Sequence, residues 1–168
     1  RLACGLCGFV SYRNPLPGVV VLVEKKGRAL LCLRSADSFR PGTWCLPGGF
    51  IEYEEDFLSA GIREVREETG LDVRIEALLS VVSNFLAPRL HTLVIVLLGR
   101  VLGGKERPGD DATQLAWIPL SGPLPEMAFD ADAHIIRRYY ATRLRGAPAD
   151  PLYGGGSRPV TTCGARPP

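Results

Sequence analysis

Two spacings of apolar positions alternate along the middle of the chain. Gly18-Val19-Val20-Val21-Leu22-Val23 is dense in β-branched residues and predicts a strand. Lys25-Lys26-Gly27 marks a turn, and Ala29-Leu30-Leu31-Cys32-Leu33 the returning strand of a hairpin. Pro41-Gly42 breaks the chain, and a short strand over 43–46 ends at Pro47-Gly48-Gly49. The period then lengthens. Leu58, Gly61, Ile62 and Val65 fall at i, i+3, i+4 and i+7, one stripe of a helix over 56–69 that stops at Gly70. Strands are expected again over 73–82, 90–101 and 114–118, and a last helix over 130–144. Strands mixed with two helices predict a single α/β domain, a mixed β-sheet with helices on its faces.

This pattern occupies residues 16–145. Residues 1–15 are short and rich in Cys, Gly and Arg. Residues 146–168 hold five Gly and five Pro, too little apolar surface to offset the entropy of ordering, and are expected to form a disordered tail. The chain of 168 residues is one domain's worth. Its longest apolar run, Leu93 to Leu98, is far short of the roughly 20 residues that span a bilayer. Arg1-Leu2-Ala3-Cys4 holds no apolar signal core, so a cytoplasmic location is expected. The formal net charge of +2 gives no support to a nucleic-acid-binding surface.

The mean charge conceals a cluster. Glu52, Glu54, Glu55, Asp56, Glu64, Glu67 and Glu68 place 7 of the 18 acids within 17 residues. Glu64, Glu67 and Glu68 share a stripe of the helix at i, i+3 and i+4, where like charges repel. They sit toward its C-terminal half, where the helix dipole disfavours anions. Stability alone does not select such an arrangement. Clustered carboxylates beside a Gly-Gly turn with free carbonyls suit a hard divalent cation, Mg²⁺ or Mn²⁺.

Gly49, five residues, Glu55, seven residues, then Arg63-Glu64-Val65-Arg66-Glu67-Glu68-Thr69-Gly70-Leu71 fits the Nudix box, G-x5-E-x7-R-E-U-x-E-E-x-G-U with U apolar. Every fixed position is filled, and on these residues the chain resembles the Nudix hydrolases over about 15–145. The resemblance implies an α/β/α sandwich and Mg²⁺-dependent cleavage of a nucleoside diphosphate linked to another moiety. It implies metal binding by Glu64, Glu67 and Glu68 with help from the Gly48 carbonyl. Arg63 would orient these carboxylates, partnered by Glu55. Some members place the water-activating base at the position of Glu64. Others take it from a loop, for which Asp110 and Asp111 are the candidates here. Glu54 and Gly61 depart from the commoner pattern, and Gly61 allows closer packing on the sheet at some cost in helix propensity.

Cys4-Gly5-Leu6-Cys7 is a C-x2-C knuckle, half of a four-ligand zinc site. Tyr12-Arg13-Asn14-Pro15 resembles the junction below the zinc ribbon of NADH pyrophosphatase-like members. A first knuckle upstream of Arg1 is therefore expected, with Zn²⁺ held by Cys4, Cys7 and that knuckle in a longer protein. Cys32, Cys45 and Cys163 are poor partners by position. Ser83-Asn84-Phe85, the run 109–112, the segment 117–120 and Ala128-Phe129-Asp130 with His134 resemble the ADP-ribose pyrophosphatase-like branch. Phe85 or Phe129 would stack a purine, and Arg34 would contact phosphate. The expected substrate is thus a small nucleotide such as ADP-ribose. The alternatives are a nucleotide sensor without turnover and a house-cleaning nucleoside triphosphate pyrophosphohydrolase. A homodimer is compatible with the apolar 90–101 strand, which serves a core or an interface.

Overall fold

The computed structural model describes residues 2–142 and 146–149. In chain order the elements are β1 (Leu2–Ala3), β2 (Val10–Ser11), β3 (Leu16–Lys25), β4 (Arg28–Arg34), β5 (Trp44–Cys45), β6 (Gly48–Phe50), α1 (Phe57–Thr69), β7 (Leu71–Ala87), β8 (Leu90–Gly104), β9 (Ala112–Pro119), α2 (Asp130–Thr142) and β10 (Ala147–Pro148). β1 and β2 pair across the Cys4–Cys7 knuckle as a separate ribbon. The others form one mixed sheet in the order β10-β7-β8-β3-β4-β5, with β6 on β3 and β9 on β4. β3 runs parallel to β8 from Leu16↔Thr92 to Glu24↔Arg100, and the remaining named pairs are antiparallel.

β3 is buried on both faces, which explains its unbroken apolar run. Val19, Val21 and Val23 point to one side and pack with Leu58, Val65 and Leu97 under α1. Leu22 points to the other and packs with Leu31, Val96, Ile135 and Ile136 under α2. Helices thus cover opposite faces of one mixed sheet, the expected α/β/α layering.

Helix α1 starts and stops by local chemistry. The Asp56 carboxylate accepts from the backbone N–H of Leu58 (2.9 Å) and Ser59 (3.1 Å) and from the Ser59 hydroxyl (2.8 Å). Gly70 ends the helix at φ 70°, and its N–H returns to the Arg66 carbonyl. The buried face differs from the expected stripe. Ile62 is 39% exposed, whereas Ala60, Gly61, Glu64, Glu68 and Thr69 are buried. Gly61 makes the close approach possible: a Cβ there would lie 2.9 Å from Leu97 Cδ1 and 3.2 Å from Val21 Cγ2.

The strand expected over 43–46 is β5, and a further short strand, β6, follows Pro47, whose carbonyl accepts from Val21 N–H. β7 extends to Ala87, five residues past its expected end, because β8 continues alongside as a long hairpin. Part of the stretch expected to be a disordered tail is placed: Ala147 and Pro148 pair with Leu78 and Ala77 of β7. Cys163 and the rest of 150–168 lie outside the described residues.

Candidate active site

Arg63 organises the acidic end of α1. Its guanidinium donates to Glu55 (Nε–Oε2 3.0 Å, Nη2–Oε1 2.6 Å), Glu64 Oε1 (2.8 Å), Glu67 Oε2 (3.0 Å) and the Phe50 carbonyl (3.1 Å). Glu55, outside the helix, also accepts from Glu52 N–H and thereby fixes the loop that brings it to Arg63. The paired guanidinium holds the Glu55 carboxyl below the usual carboxylate range. The three carboxylates in turn raise the already high pKa of Arg63, Glu55 foremost. Arg63 thus ties together Glu55, Glu64 and Glu67, the side chains it was expected to meet.

Glu64 and Glu68, one turn apart, face inward toward the Gly48-Gly49 turn. Glu68 Oε2 accepts from Gly48 N–H at 3.0 Å. A Cβ at Gly49 would fall on the Glu64 carboxylate, so only glycine lets β6 approach so closely. Burial pushes Glu64 up, with Arg63 opposing. Burial pushes Glu68 up to about 8, against the Gly48 N–H. Glu67 is the exception: its side chain is half exposed and turned to Arg63. Among the described residues no group of three or more His, Cys, Asp or Glu is arranged to hold a metal ion. The donor set of Glu64, Glu68 and Glu67 is nonetheless all hard oxygen on one helix rim, and the glycine turn leaves room beside it. It fits Mg²⁺ or Mn²⁺ bound with substrate and water oxygens completing the shell.

The loop before β9 closes this rim. The terminal carbonyls of α1 are taken by loop amides, Arg107 N–H on Thr69 O (2.9 Å) and Gly109 N–H on Glu68 O (3.1 Å). This docking presents Asp110, at φ 48°, and Asp111 to the same cavity as Glu64 and Glu68.

That cavity measures about 400 Å³ and extends from the carboxylates along the α2 side of β3, β7 and β8. Arg34 and Phe129 line it, as expected for substrate contacts. The Arg34 guanidinium lies 5.6 Å over the Phe129 ring, and Phe129 stacks on Phe39 at 6.0 Å. Phe85 does not line it. Val82, Asn84 and Leu86 face the cavity, so Phe85 points away, 79% exposed and stacked on His91 at 4.0 Å. The expectation for Phe85 confused the two faces of one strand.

Two cavity residues, Asp132 and Thr92, escaped the sequence reading, and Asn84 entered it only within the segment 83–85. Asp132 is buried, and its carboxylate accepts from Leu46 N–H at 3.0 Å. It shares the stripe of Ile135 and Ile136, so a polar residue on an apolar face was the available signal. Asn84 and Thr92 are register partners on β7 and β8. Elsewhere, Cys4 and Cys7 are exposed, and the N–H groups of Cys7 and Leu6 hold the Cys4 thiol below its usual range. Cys32 and Cys45 are buried register partners, far from thiolate character because burial pushes both thiols up. No helix among the described residues is long and apolar enough to cross a membrane.

Residues 14–139 match the family model described as NUDIX domain. An ADP-ribose pyrophosphatase of Methanocaldococcus jannaschii is 39% identical over 129 residues, 76% of this chain and 75% of that protein. The NAD-capped RNA hydrolase NudC of Pseudomonas aeruginosa is 32% identical over 92% of this chain and 54% of its own length. Among solved structures, a NUDIX hydrolase from Nitrosomonas europaea superposes with a TM-score of 0.71 at 28% identity, covering 88% of this chain and 82% of that one. The matched span carries every element around the cavity, and with it the filled box from Gly49 to Leu71: the chain belongs to the NUDIX family of hydrolases.

Proposed function

We propose that this chain hydrolyses the diphosphate linkage of small ADP-X compounds, ADP-ribose or a close relative, with a divalent cation. The carrying observation is the union of two kinds of lining in one cavity: the carboxylates of Glu64 and Glu68 together with apolar walls, an Arg and an aromatic. A diphosphate needs the first and a nucleoside the second. The 39% identical ADP-ribose pyrophosphatase supports the choice of ADP-ribose.

Glu64, Glu67 and Glu68, with Gly48 beside them, would hold Mg²⁺ or Mn²⁺; bound there, the cation neutralises the diphosphate charge and acidifies water. Arg63 keeps the carboxylates in place through its bonds to Glu55, Glu64 and Glu67. Glu64 or the loop acids Asp110 and Asp111 take the proton from the attacking water. Arg34, whose charge reaches Glu68, meets phosphate oxygens. Cys4 and Cys7 would supply two thiolates of a zinc site completed from outside the described residues, a structural role apart from catalysis.

The test is AMP release from ADP-ribose, NADH, FAD, a nucleoside triphosphate and an NAD-capped RNA, with Mg²⁺ and with chelator. ADP-ribose is expected to turn over fastest, and Glu64→Gln to cut its rate at least about a hundredfold, the scale of losing one positioned group at a reacting centre. Tight ADP-ribose binding without turnover would overturn the reading in favour of a sensor. Zinc content measured with and without Cys4→Ser decides the knuckle.

A further inference from the structure

The only lysines of the chain are Lys25, Lys26 and Lys105. The last is far from the other two in sequence, yet all three line one cleft of about 780 Å³. This cleft lies at the other end of the sheet from the acidic cavity. Gly18 and Val94, register partners on β3 and β8, line the cavity; Glu24 and Arg100, partners six residues further along the same parallel pair, line the cleft. Six residues of strand span about 20 Å. Among the described residues none of the three lysines has an ion pair, whereas Arg100 is held by Glu24 (3.1 Å) and Glu76 (3.1 Å). Glu106, the other acid of the lining, accepts from Trp117 Nε1 at 3.0 Å, and the Lys25 ammonium lies 5.6 Å over the same indole. The three lysines and Arg100 against Glu24 and Glu106 leave the lining a formal charge of +2. A phosphomonoester carries about −1.5 to −2 near pH 7, and lysine meets phosphate as a point charge. Leu102, 65% exposed, offers apolar surface for the organic group of such an ester. One loop joins the cleft to the acidic cavity. Lys105 and Glu106 border the first, and Asp110 and Asp111 the second. Between them the N–H groups of Arg107 and Gly109 are fixed on the last carbonyls of α1.

We propose that the lysine cleft is a second ligand site, taking a phosphomonoester dianion, and that its occupancy is felt at the acidic cavity through residues 105–111. Lys25 and Lys26 meet the phosphate from the β3–β4 turn and Lys105 from the loop, so the ligand draws loop and turn together. A shift at 105–106 reaches Asp110 and Asp111 along a loop pinned midway on α1. The binding stands by itself, and the coupling rests on the proposed function. Hydrolysis of the diphosphate linkage of an ADP-X compound releases two phosphomonoesters, the class of ligand this cleft takes.

The experiment measures binding of phenyl phosphate, and of phenyl sulfate as the monoanionic control, by calorimetry on the full chain without divalent cation. Wild type is compared with the double variant Lys26→Gln, Lys105→Gln, whose exposed positions leave the thermal midpoint unchanged. Wild type is expected to bind phenyl phosphate saturably, more weakly as salt is added, and phenyl sulfate several-fold more weakly. The double variant is expected to lose at least about tenfold in phenyl phosphate affinity, the scale of charge-assisted contacts. Equal affinity in the two proteins, or no saturable binding, overturns the site; equal affinity for the two esters overturns the dianion. The coupling is read from ADP-ribose turnover with Mg²⁺ as phenyl phosphate is added. A change in kcat or KM of about fivefold is expected in wild type, the lower end of coupling between sites, and none in the double variant. The same change in both proteins is competition at the acidic cavity and overturns the coupling. Lysine-dependent binding in a protein that turns over no ADP-X compound upholds the site and overturns the proposed function.

Discussion

Asp132 gives the sharpest test of how this site is built. It lies in the first turn of α2, 3% exposed, with Leu46 N–H on one carboxylate oxygen. Burial pushes its carboxyl up to about 7, against the pull of that N–H and of the Arg34 charge. Between the unfolded value of 3.8 and the folded value, the native protein holds a proton that the unfolded chain has released. Stability therefore falls as pH rises through that window and stays low above about 7. The full loss is about 4 kcal/mol if the whole difference is realised. Asp132→Asn keeps an oxygen for Leu46 and stays neutral at every pH. It should match the wild type near pH 4 and exceed it at pH 8 by up to that amount. The assay is urea denaturation from pH 4 to 8, without divalent cation. Glu68 is also pushed up, to about 8, and contributes a slope of the same sign. The difference between variant and wild type isolates Asp132, because both carry Glu68. A difference that does not grow between pH 4 and 7 refutes the buried, protonated carboxyl.

Three further substitutions probe the supports of the site. Gly61→Ala gains up to about 1 kcal/mol of helix propensity but loses about 1–3 kcal/mol to overpacking against fully buried Leu97 and Val21, so urea denaturation should find it destabilised. Asp56→Ala strips three hydrogen bonds from the start of α1 and should cost about 1–2 kcal/mol, read as a lower denaturation midpoint at unchanged slope. Gly49→Ala drives the Glu64 carboxylate from its place and should lower the cation-dependent rate about a hundredfold, the penalty for a misplaced group near the chemistry. A rate within a few-fold of the wild type would remove Gly49 from the list of constraints on the site.

What the sequence could show depended on whether the deciding interaction was local. Both ends of α1 were legible because Asp56 and Gly70 act within a turn of their own positions. The acidic stripe Glu64, Glu67 and Glu68 was legible because fixed helical spacing carries it, and Arg63 meets Glu67 at i+4, whereas Glu55, outside the helix, entered only through the resemblance. The extent of β7 was not, since residues 83–87 hold to the strand only through partners on β8. Phe85 was placed on the wrong side for the same reason: alternation shows that 84 and 85 oppose each other, but which of them meets the cavity depends on where α2 packs.

The inward turn of Glu64 and Glu68 shows where hydrophobic periodicity misleads and why. Counting apolar positions centres the buried face between Leu58 and Val65 with Ile62 at one edge, which would leave the acids toward solvent. The helix is instead rotated so that Ala60, Glu64 and Glu68 go inward and Ile62 out. Small residues set this: Gly61 brings α1 down onto Val21 and Leu97, and Gly49 opens space for the Glu64 carboxylate. The rotation gives up burial of one isoleucine, a loss of about 1–2 kcal/mol, and adds the cost of two half-desolvated carboxylates. Arg63 offsets part of that cost through Glu64, and Gly48 N–H another part through Glu68. The remainder is uncompensated within the chain, as both raised carboxyls record. Under the proposed function, a cation held by these carboxylates would supply binding energy that offsets this cost.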